Sequence, residues 1–309
     1  MSGPGSPATG PGRYAPSPTA ELHLGNLRTA LIAWLAARSR GAEFLVRIED
    51  LDRGRSREKW VDTQLEELKL LGIDWDGDPV RQSERDGLYA EAVRQLEAAG
   101  LTYECFCTRA EIREASSAPH GDLPEGAYPG TCAHLTEREL AERRASGRPP
   151  ALRVRAATAE IGFDDLVPGR VTGVVDDFVV RRNDGDHAYN LAVTVDDASQ
   201  GIGEVVRGDD LLETTPRQLW LYDKLGLTAP ERFAHVPLML GEDGARLAKR
   251  HGAVTLEERL AAGETVPGIL GELAHSAGLI EAPVETTAVM LLPDFGWGKV
   301  AACGRNPAR

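Results

Sequence analysis

Apolar and polar positions in this chain change period in blocks, and the blocks predict strands and helices in turn. Residues 13–15 read as a short extended segment, halted by Pro16 and Pro18, which fix φ and withhold N–H donors. A helix then opens at His23 and Gly25 and runs through Leu27, Ala30, Leu31 and Trp34. Phe44–Ile48 reads as a strand ending in Glu49-Asp50. Residues 56–71 predict an amphipathic helix with a serine start and Gly72 as its stop. Residues 83–99 predict another. Ser83 and Asp86 make a weak capping box, Leu88, Val93 and Leu96 lie near one face, and Gly100 ends it.

From residue 101 to 150 the pattern breaks into cysteines, glycines, prolines and an Arg/Glu-rich helix. Residues 151–182 predict short strands, with Val-rich runs at 171–175 and 178–180. Alternation resumes at 187–195 and 204–207, then a helix at Thr215–Leu225 and a strand at 235–240. Such alternation predicts the α/β class, here a nucleotide-binding sheet split by an inserted subdomain at about 101–185.

No apolar run approaches the ~20 residues of a membrane span. Residues 1–12 are rich in Gly, Pro, Ser and Ala and read as a disordered leader, not a secretory signal, so the expected location is cytoplasmic. A net charge of −13 argues against nonspecific nucleic-acid binding, which phosphate neutralisation dominates. Basic segments at 53–57, 138–148 and 246–250 leave room for a structured RNA, although each reads equally well as a solvated face.

The candidate chemistry is concentrated in three places. Strand, turn and helix N-terminus across residues 13–30 is the arrangement in which backbone amides face an anion. There Gly25 admits a flat ligand and His23 points an imidazole at a phosphate, unless the histidine is merely a cap. Cys105 and Cys107 form Cys-x-Cys, Cys132 follows in the same segment, and Cys303 stands apart. Alternating cysteines on an extended chain point to opposite sides, and a reducing compartment disfavours a disulfide. Three thiolates suit a tetrahedral zinc with one further ligand, for which His134 or His120 is favoured on chemistry alone. A metal-free buried cluster is the plainer alternative. Lastly, Arg246-Leu247-Ala248-Lys249-Arg250 follows a Gly/Asp turn, by itself a common kind of surface loop.

Residues 13–30, Arg-Tyr-Ala-Pro-Ser-Pro-Thr-Ala-Glu-Leu-His-Leu-Gly-Asn-Leu-Arg-Thr-Ala, resemble the ATP signature of class I aminoacyl-tRNA synthetases in its glutamyl/glutaminyl form. Departures fall at Tyr14, Leu24 and Ala20, the last a glycine position whose backbone angle must suit alanine. The basic pentapeptide resembles that family's second ATP signature, the Lys-Met-Ser-Lys-Ser loop, with Arg246 for its first lysine and Ala248 for its serine. The resemblance implies a Rossmann-like parallel-sheet catalytic domain in two halves, 13–100 and 186–254. A zinc-containing α+β subdomain is inserted at 101–185, and a helical tail follows at 255–309. It implies ATP, with Mg2+, at His23, Gly25, Asn26, Arg246 and Lys249, of which His23 and Lys249 are catalytic. It further implies L-glutamate at Arg13, Tyr14, Ala15, Pro16, Ser17, Glu49, Tyr189 and Arg207. Glu49 and Tyr189 take the ammonium, Arg207 the side-chain carboxylate, and Arg13 is a further carboxylate partner. Full-length glutamyl enzymes carry asparagine four residues after that tyrosine. Here Val193 stands there and Asn190 adjoins Tyr189, which implies weaker binding at the ammonium end.

Short members of the branch carry Cys-x-Cys…Tyr-x-x-x-Cys, matched by Cys105, Cys107, Tyr128 and Cys132. That implies one structural zinc, with Tyr128 as the fourth ligand and His134 as its substitute. Only 309 − 250 = 59 residues follow the basic loop, too few for an anticodon-binding domain of usual size. These features together resemble the glutamyl-queuosine tRNA(Asp) synthetase family, which activates glutamate without tRNA and passes it to queuosine at the wobble position. The implied partner is the tRNA(Asp) anticodon loop, with no membrane association and a monomeric protein. A truncated glutamyl-tRNA synthetase charging tRNA(Glu) and a non-catalytic RNA- or glutamate-binding paralogue are the alternatives.

Overall fold

The computed structural model describes residues 10–116, 128–241, 247 and 255–303. Strand β1 (Gly12–Tyr14) is buried along its length and leads through the proline turn into α1 (Leu24–Ser39). Leu27, Ala30, Leu31, Ile32, Ala33, Leu35, Ala36 and Ala37 of α1 are all buried. A helix apolar on nearly every side belongs in the interior, and α1 packs there against β1 and β9. A Cβ on Gly12 would come within 2.9 Å of the Ala37 Cβ, so glycine lets helix and strand approach. The chain returns in β2 (Phe44–Ile48), parallel to β1 with Gly12 opposite Phe44.

Helix α2 (Glu58–Leu70) buries Val61, Gln64, Glu67 and Leu68 and stops at Gly72, whose φ is +70°. Strand β3 (Val80–Arg81) pairs with β2, and α3 (Asp86–Ala98) follows, ending before Gly100 at φ +68°. Two sequence expectations change here. Ser83 does not cap α3; its N–H and Oγ both donate to Asp50, at 2.8 and 2.7 Å. Leu88 is 45% exposed, and Tyr89 takes the inward position instead.

The middle of the chain contributes β4 (Thr102–Cys105), α4 (Arg109–Ser116), α5 (Glu137–Ala145), β5 (Ala151–Val154), β6 (Glu160–Asp165), β7 (Gly169–Val174) and β8 (Val179–Arg181). There follow α6 (Tyr189–Ser199), β9 (Glu204–Gly208), α7 (Thr215–Leu225) and β10 (Arg232–Val236). The expected strand at 235–240 thus lies earlier, because Pro237 has no N–H to give to a ladder. Helices α8 (Leu256–Ala261), α9 (Val266–Ser276) and α10 (Trp297–Cys303) complete the described chain.

Among the described residues a seven-stranded sheet runs β3-β2-β1-β9-β10-β6-β7, parallel except for the β6–β7 hairpin. That hairpin comes from the stretch expected to be an insertion, yet it docks on the main sheet through Asp165 opposite Phe233. Strands β4, β5 and β8 form a separate antiparallel sheet. From β1 the chain winds outward to β2 and β3, whereas from β9 it winds to β10 on the other side. The order reverses between β1 and β9, and ligands of open α/β sheets bind at the strand ends of such a reversal.

Beneath that point lies a buried ionic cluster. Arg47 of β2 is fully buried; its Nη1 donates to Asp197 at 2.6 Å and to Gln200 at 2.9 Å, and its Nη2 donates to Glu49 at 3.3 Å. Arg13 of β1 grips Asp197 through Nε and Nη2, at 3.1 and 3.2 Å. Asp196 accepts from Gln82, Arg85 and Tyr89. Burial works against the charge on Asp197, but Arg13 and Arg47 outweigh it and hold that carboxyl below the usual range. Removing one member of such a cluster strands the others without water. Arg47→Met is therefore expected to cost about 3–5 kcal/mol of unfolding free energy in urea titrations, and a loss under about 1 kcal/mol contradicts this account.

Candidate active site

At the reversal point the structure has a cavity of about 520 Å³. Arg13, Tyr14, Ala15, Pro16 and Ser17 line it from the end of β1, and His23, Gly25 and Asn26 from the start of α1. Glu49 follows β2, Tyr189 begins α6, and Arg207 stands near the end of β9. Residues 194 positions apart in sequence thus share one enclosure, because parallel strands bring their carboxyl ends to the same side.

His23 is the N-cap of α1. Its Nδ1 accepts the Asn26 N–H at 3.2 Å, and the Asn26 side chain accepts the His23 N–H at 3.3 Å. An accepting Nδ1 carries no proton, so the neutral ring has its N–H at Nε2, the tautomer able to donate to a phosphate oxygen. A Cβ on Gly25 would meet the His23 ring at 3.0 Å, so glycine leaves that ring its place. Among the described residues only Ala157 and Thr158 are non-glycines at positive φ, so the backbone at Ala20 suits alanine. The Leu247 N–H donates at 2.9 Å to the carbonyl of Met239, which also lines the cavity. Arg246 and Lys249 lie outside the described residues, as does His120.

Sequence reasoning missed two residues that hold this turn. Gln64 Nε2 donates to the Ser17 and Ala20 carbonyls at 3.1 and 2.7 Å, and Glu67 accepts the Leu22 N–H at 3.2 Å. One helical turn apart on α2, they pin both ends of the segment that delivers His23. Only their inward placement on an otherwise polar helix could have signalled this.

Arg207 is held on three sides. Nε donates to His235 at 3.0 Å, and Nη2 donates to Thr215 and Gln218, each at 2.9 Å. Nη1 is buried without a partner among the described protein atoms. A guanidinium with one donor nitrogen unmatched, on a residue that lines the cavity, suits an anionic ligand. Burial raises the Glu49 carboxyl, opposed by Arg47 and Arg13, and supplies the cavity with an acidic group of the kind an ammonium ion pairs with. Arg13 reaches the cavity but is committed to Asp197, which leaves it less charge for a ligand carboxylate. Tyr189 is 36% exposed at the rim. Val193 is fully buried, whereas Asn190 accepts from Gln218 at 3.0 Å and so acts on the Arg207 side.

Away from this cavity, the sulfur atoms of Cys105, Cys107 and Cys132 lie within 4.8 Å of one another. The Tyr128 hydroxyl is 3.4 Å from Cys105 and 3.5 Å from Cys107, and accepts the Cys132 N–H at 2.8 Å. The Arg153 guanidinium covers the Tyr128 ring at 3.8 Å. Hydrogen bonding from Cys132, against burial, holds the Cys105 thiol well below its ordinary value. His134 is exposed and stands outside the cluster.

Burial, with Glu21 and Glu257 nearby, lifts the Glu67 carboxyl from 4.5 to about 7. A raised acid favours the protonated fold, so this contribution to stability is complete below pH 4.5 and is lost as pH rises through about 7. Glu67→Gln, which keeps an acceptor for Leu22, is expected to flatten the Tm against pH over that window and to exceed the parent Tm above it. An unchanged slope in thermal melts contradicts this.

Residues 11–270 match the family described as tRNA synthetases class I (E and Q), catalytic domain. The chain is 55% identical to the glutamyl-Q tRNA(Asp) synthetase of Nocardia farcinica over 93% of this chain and 89% of that protein. It is 47% identical to the glutamyl-Q tRNA(Asp) synthetase of Symbiobacterium thermophilum, over 96% and 95%. A glutamate tRNA ligase of Elizabethkingia meningosepticum, solved in complex with its amino acid, superposes with a TM-score of 0.79 at 27% identity, over 94% of this chain and 66% of that one. The mixed, mostly parallel sheet is therefore the class I synthetase catalytic fold, and the chain belongs to the glutamyl/glutaminyl class I tRNA synthetases, among the glutamyl-Q tRNA(Asp) synthetases.

Proposed function

We propose that this protein uses ATP to activate L-glutamate, without tRNA, and transfers the glutamyl group to the cyclopentenediol of queuosine at the wobble position of tRNA(Asp). The observation that carries the site assignment is Arg207, which lines the cavity together with His23 and Gly25 and whose Nη1 is buried with no partner among the described residues. Glutamate has one ammonium and two carboxylates. In this reading Glu49 and Tyr189 take the ammonium, Arg207 takes the side-chain carboxylate, and the residues from Arg13 to Ser17 enclose the molecule. An oxygen of the α-carboxylate attacks the ATP α-phosphorus, the bond to the bridging oxygen breaks, and pyrophosphate leaves. No protein nucleophile takes part. Catalysis is positioning plus stabilisation of phosphate charge by His23 Nε2–H, the α1 N-terminus and a Mg2+ ion. Gly25 and Asn26 complete the ATP site, with Arg246 and Lys249 assigned by their motif alone.

A zinc ion is proposed at Cys105, Cys107, Cys132 and Tyr128. Zn–S bonds of about 2.3 Å require sulfurs roughly 3.8 Å apart, and the Cys107–Cys132 separation of 3.5 Å with Tyr128 alongside supports that fit. The metal would hold together a segment with few apolar residues. We take 13–100 and 186–254 as the catalytic halves, 101–185 as the insertion and 255–309 as the helical tail. The cavity then receives the anticodon loop, whose unpaired bases can splay into it, with the protein acting as a monomer. Among the described residues no helix is long and apolar enough to cross a membrane.

Glutamate-dependent exchange between ATP and pyrophosphate without RNA, and labelling of tRNA(Asp) only when it carries queuosine, are the expected results. Label on tRNA(Glu), or on tRNA(Asp) lacking queuosine, refutes the acceptor. Lys249→Ala is expected to lower the exchange kcat by about 10²–10³-fold with little change in glutamate KM; equal losses contradict its role. Stripping metal with a chelator is expected to release about one zinc per chain and to lower the melting temperature, with zinc restoring it. Release of no zinc by elemental analysis of protein purified without chelator contradicts the metal assignment.

A further inference from the structure

Arg207 is aimed by a chain of buried groups that lies outside the cavity. Asp165, at the end of β6, accepts the N–H groups of Val167 and His235 on Oδ1, at 2.9 and 3.2 Å. Its Oδ2 stands 2.6 Å from Nδ1 of the fully buried His235 ring. On the far side of that ring, Nε2 faces Arg207 Nε at 3.0 Å and Thr215 Oγ1 at 3.1 Å. A guanidinium can only donate, so Nε2 must be bare and the proton must sit on Nδ1, directed at Asp165. Thr215 accepts from Arg207 Nη2 and turns its own hydrogen to Nε2. Gln218 presents its oxygen to Nη2 because its amide nitrogen donates to Asn190 at 3.0 Å. His235, Thr215 and Gln218 thus hold Nε and Nη2, and Nη1 is the guanidinium nitrogen without a partner among the described residues.

We infer that Asp165 and His235 are positioning residues for glutamate. The carboxylate fixes the Nδ1–H tautomer, the bare Nε2 fixes the guanidinium, and the guanidinium selects a carboxylate over an amide, because its charge pairs with the anion and it has no acceptor for an amide N–H. This inference rests on the activation reading above. It predicts an effect for an isosteric change. In Asp165→Asn the two backbone N–H groups keep the side-chain oxygen, so the amide nitrogen faces Nδ1. The ring proton then moves to Nε2, where it opposes the Arg207 N–H.

The experiment measures KM for glutamate and for ATP in pyrophosphate exchange, glutamine as a competing substrate, and ring tautomers by nitrogen NMR of histidine-labelled protein. Asp165→Asn and His235→Leu are expected to raise glutamate KM about tenfold to a hundredfold with ATP KM unchanged, and to narrow the preference for glutamate over glutamine. His235→Gln, whose oxygen can accept from Arg207, is expected to recover part of the loss. Should His235→Leu fail to fold, Asp165→Asn and the parent NMR spectrum still decide. An Nε2-protonated His235 in the parent, an unchanged glutamate KM in Asp165→Asn, or equal rises in both KM values would overturn the inference. A parent protein that performs no exchange refutes the activation reading instead, and the tautomer is still read directly.

Discussion

The cavity stands on charge that has been taken out of water. Arg13, Arg47 and Arg85 face Glu49, Asp196 and Asp197 where β1, β2, α3 and α6 meet, and two of the six, Arg13 and Glu49, also line the cavity. Burying ions costs several kcal/mol each, and good pairing roughly returns it, so the cluster adds little net stability. What it adds is direction. Each partner fixes the other's rotamer, and the cavity wall inherits that rigidity. A ligand entering such a site meets groups already in position, which lowers the ordering cost of binding.

Sheet topology and side-chain packing share the remaining work. Parallel strands place the carboxyl ends of β1 and β9 side by side, and the reversal of winding between them opens the space. Helix α1 points its N-terminus into that space, and its nearly all-apolar surface anchors it in the core. Helix α2 pins the proline turn through Gln64 and Glu67. The signature turn is thus clamped at its carbonyls and at one amide, and His23 is fixed as much by its backbone as by its own cap.

Much of this was legible along the chain, and for identifiable reasons. Phe44–Ile48 and Thr215–Leu225 have short-range patterns that burial later respects, and both emerge as expected. The turn at residues 13–25 was readable because proline, histidine and glycine each have a local consequence. What escaped was long-range. Asp165 and His235 are seventy residues apart, and Arg13 and Asp197 are 184 apart. No periodicity announces such pairs, since each member reads as an ordinary polar position until two elements pack. Ser83 shows the same limit in miniature: its local sequence suits a cap, but the nearby Asp50 carboxylate offers two hydrogen bonds and wins.

The β6–β7 hairpin carries a consequence for how such proteins diversify. It arises in the stretch between the two halves of the main sheet, yet Asp165, the last residue of its first strand, reaches the imidazole behind Arg207. Exchanging that whole stretch for another module would carry the aspartate away with it. A graft that spares residues 160–174 leaves in place both the edge of the main sheet and the carboxylate behind the imidazole partner of Arg207.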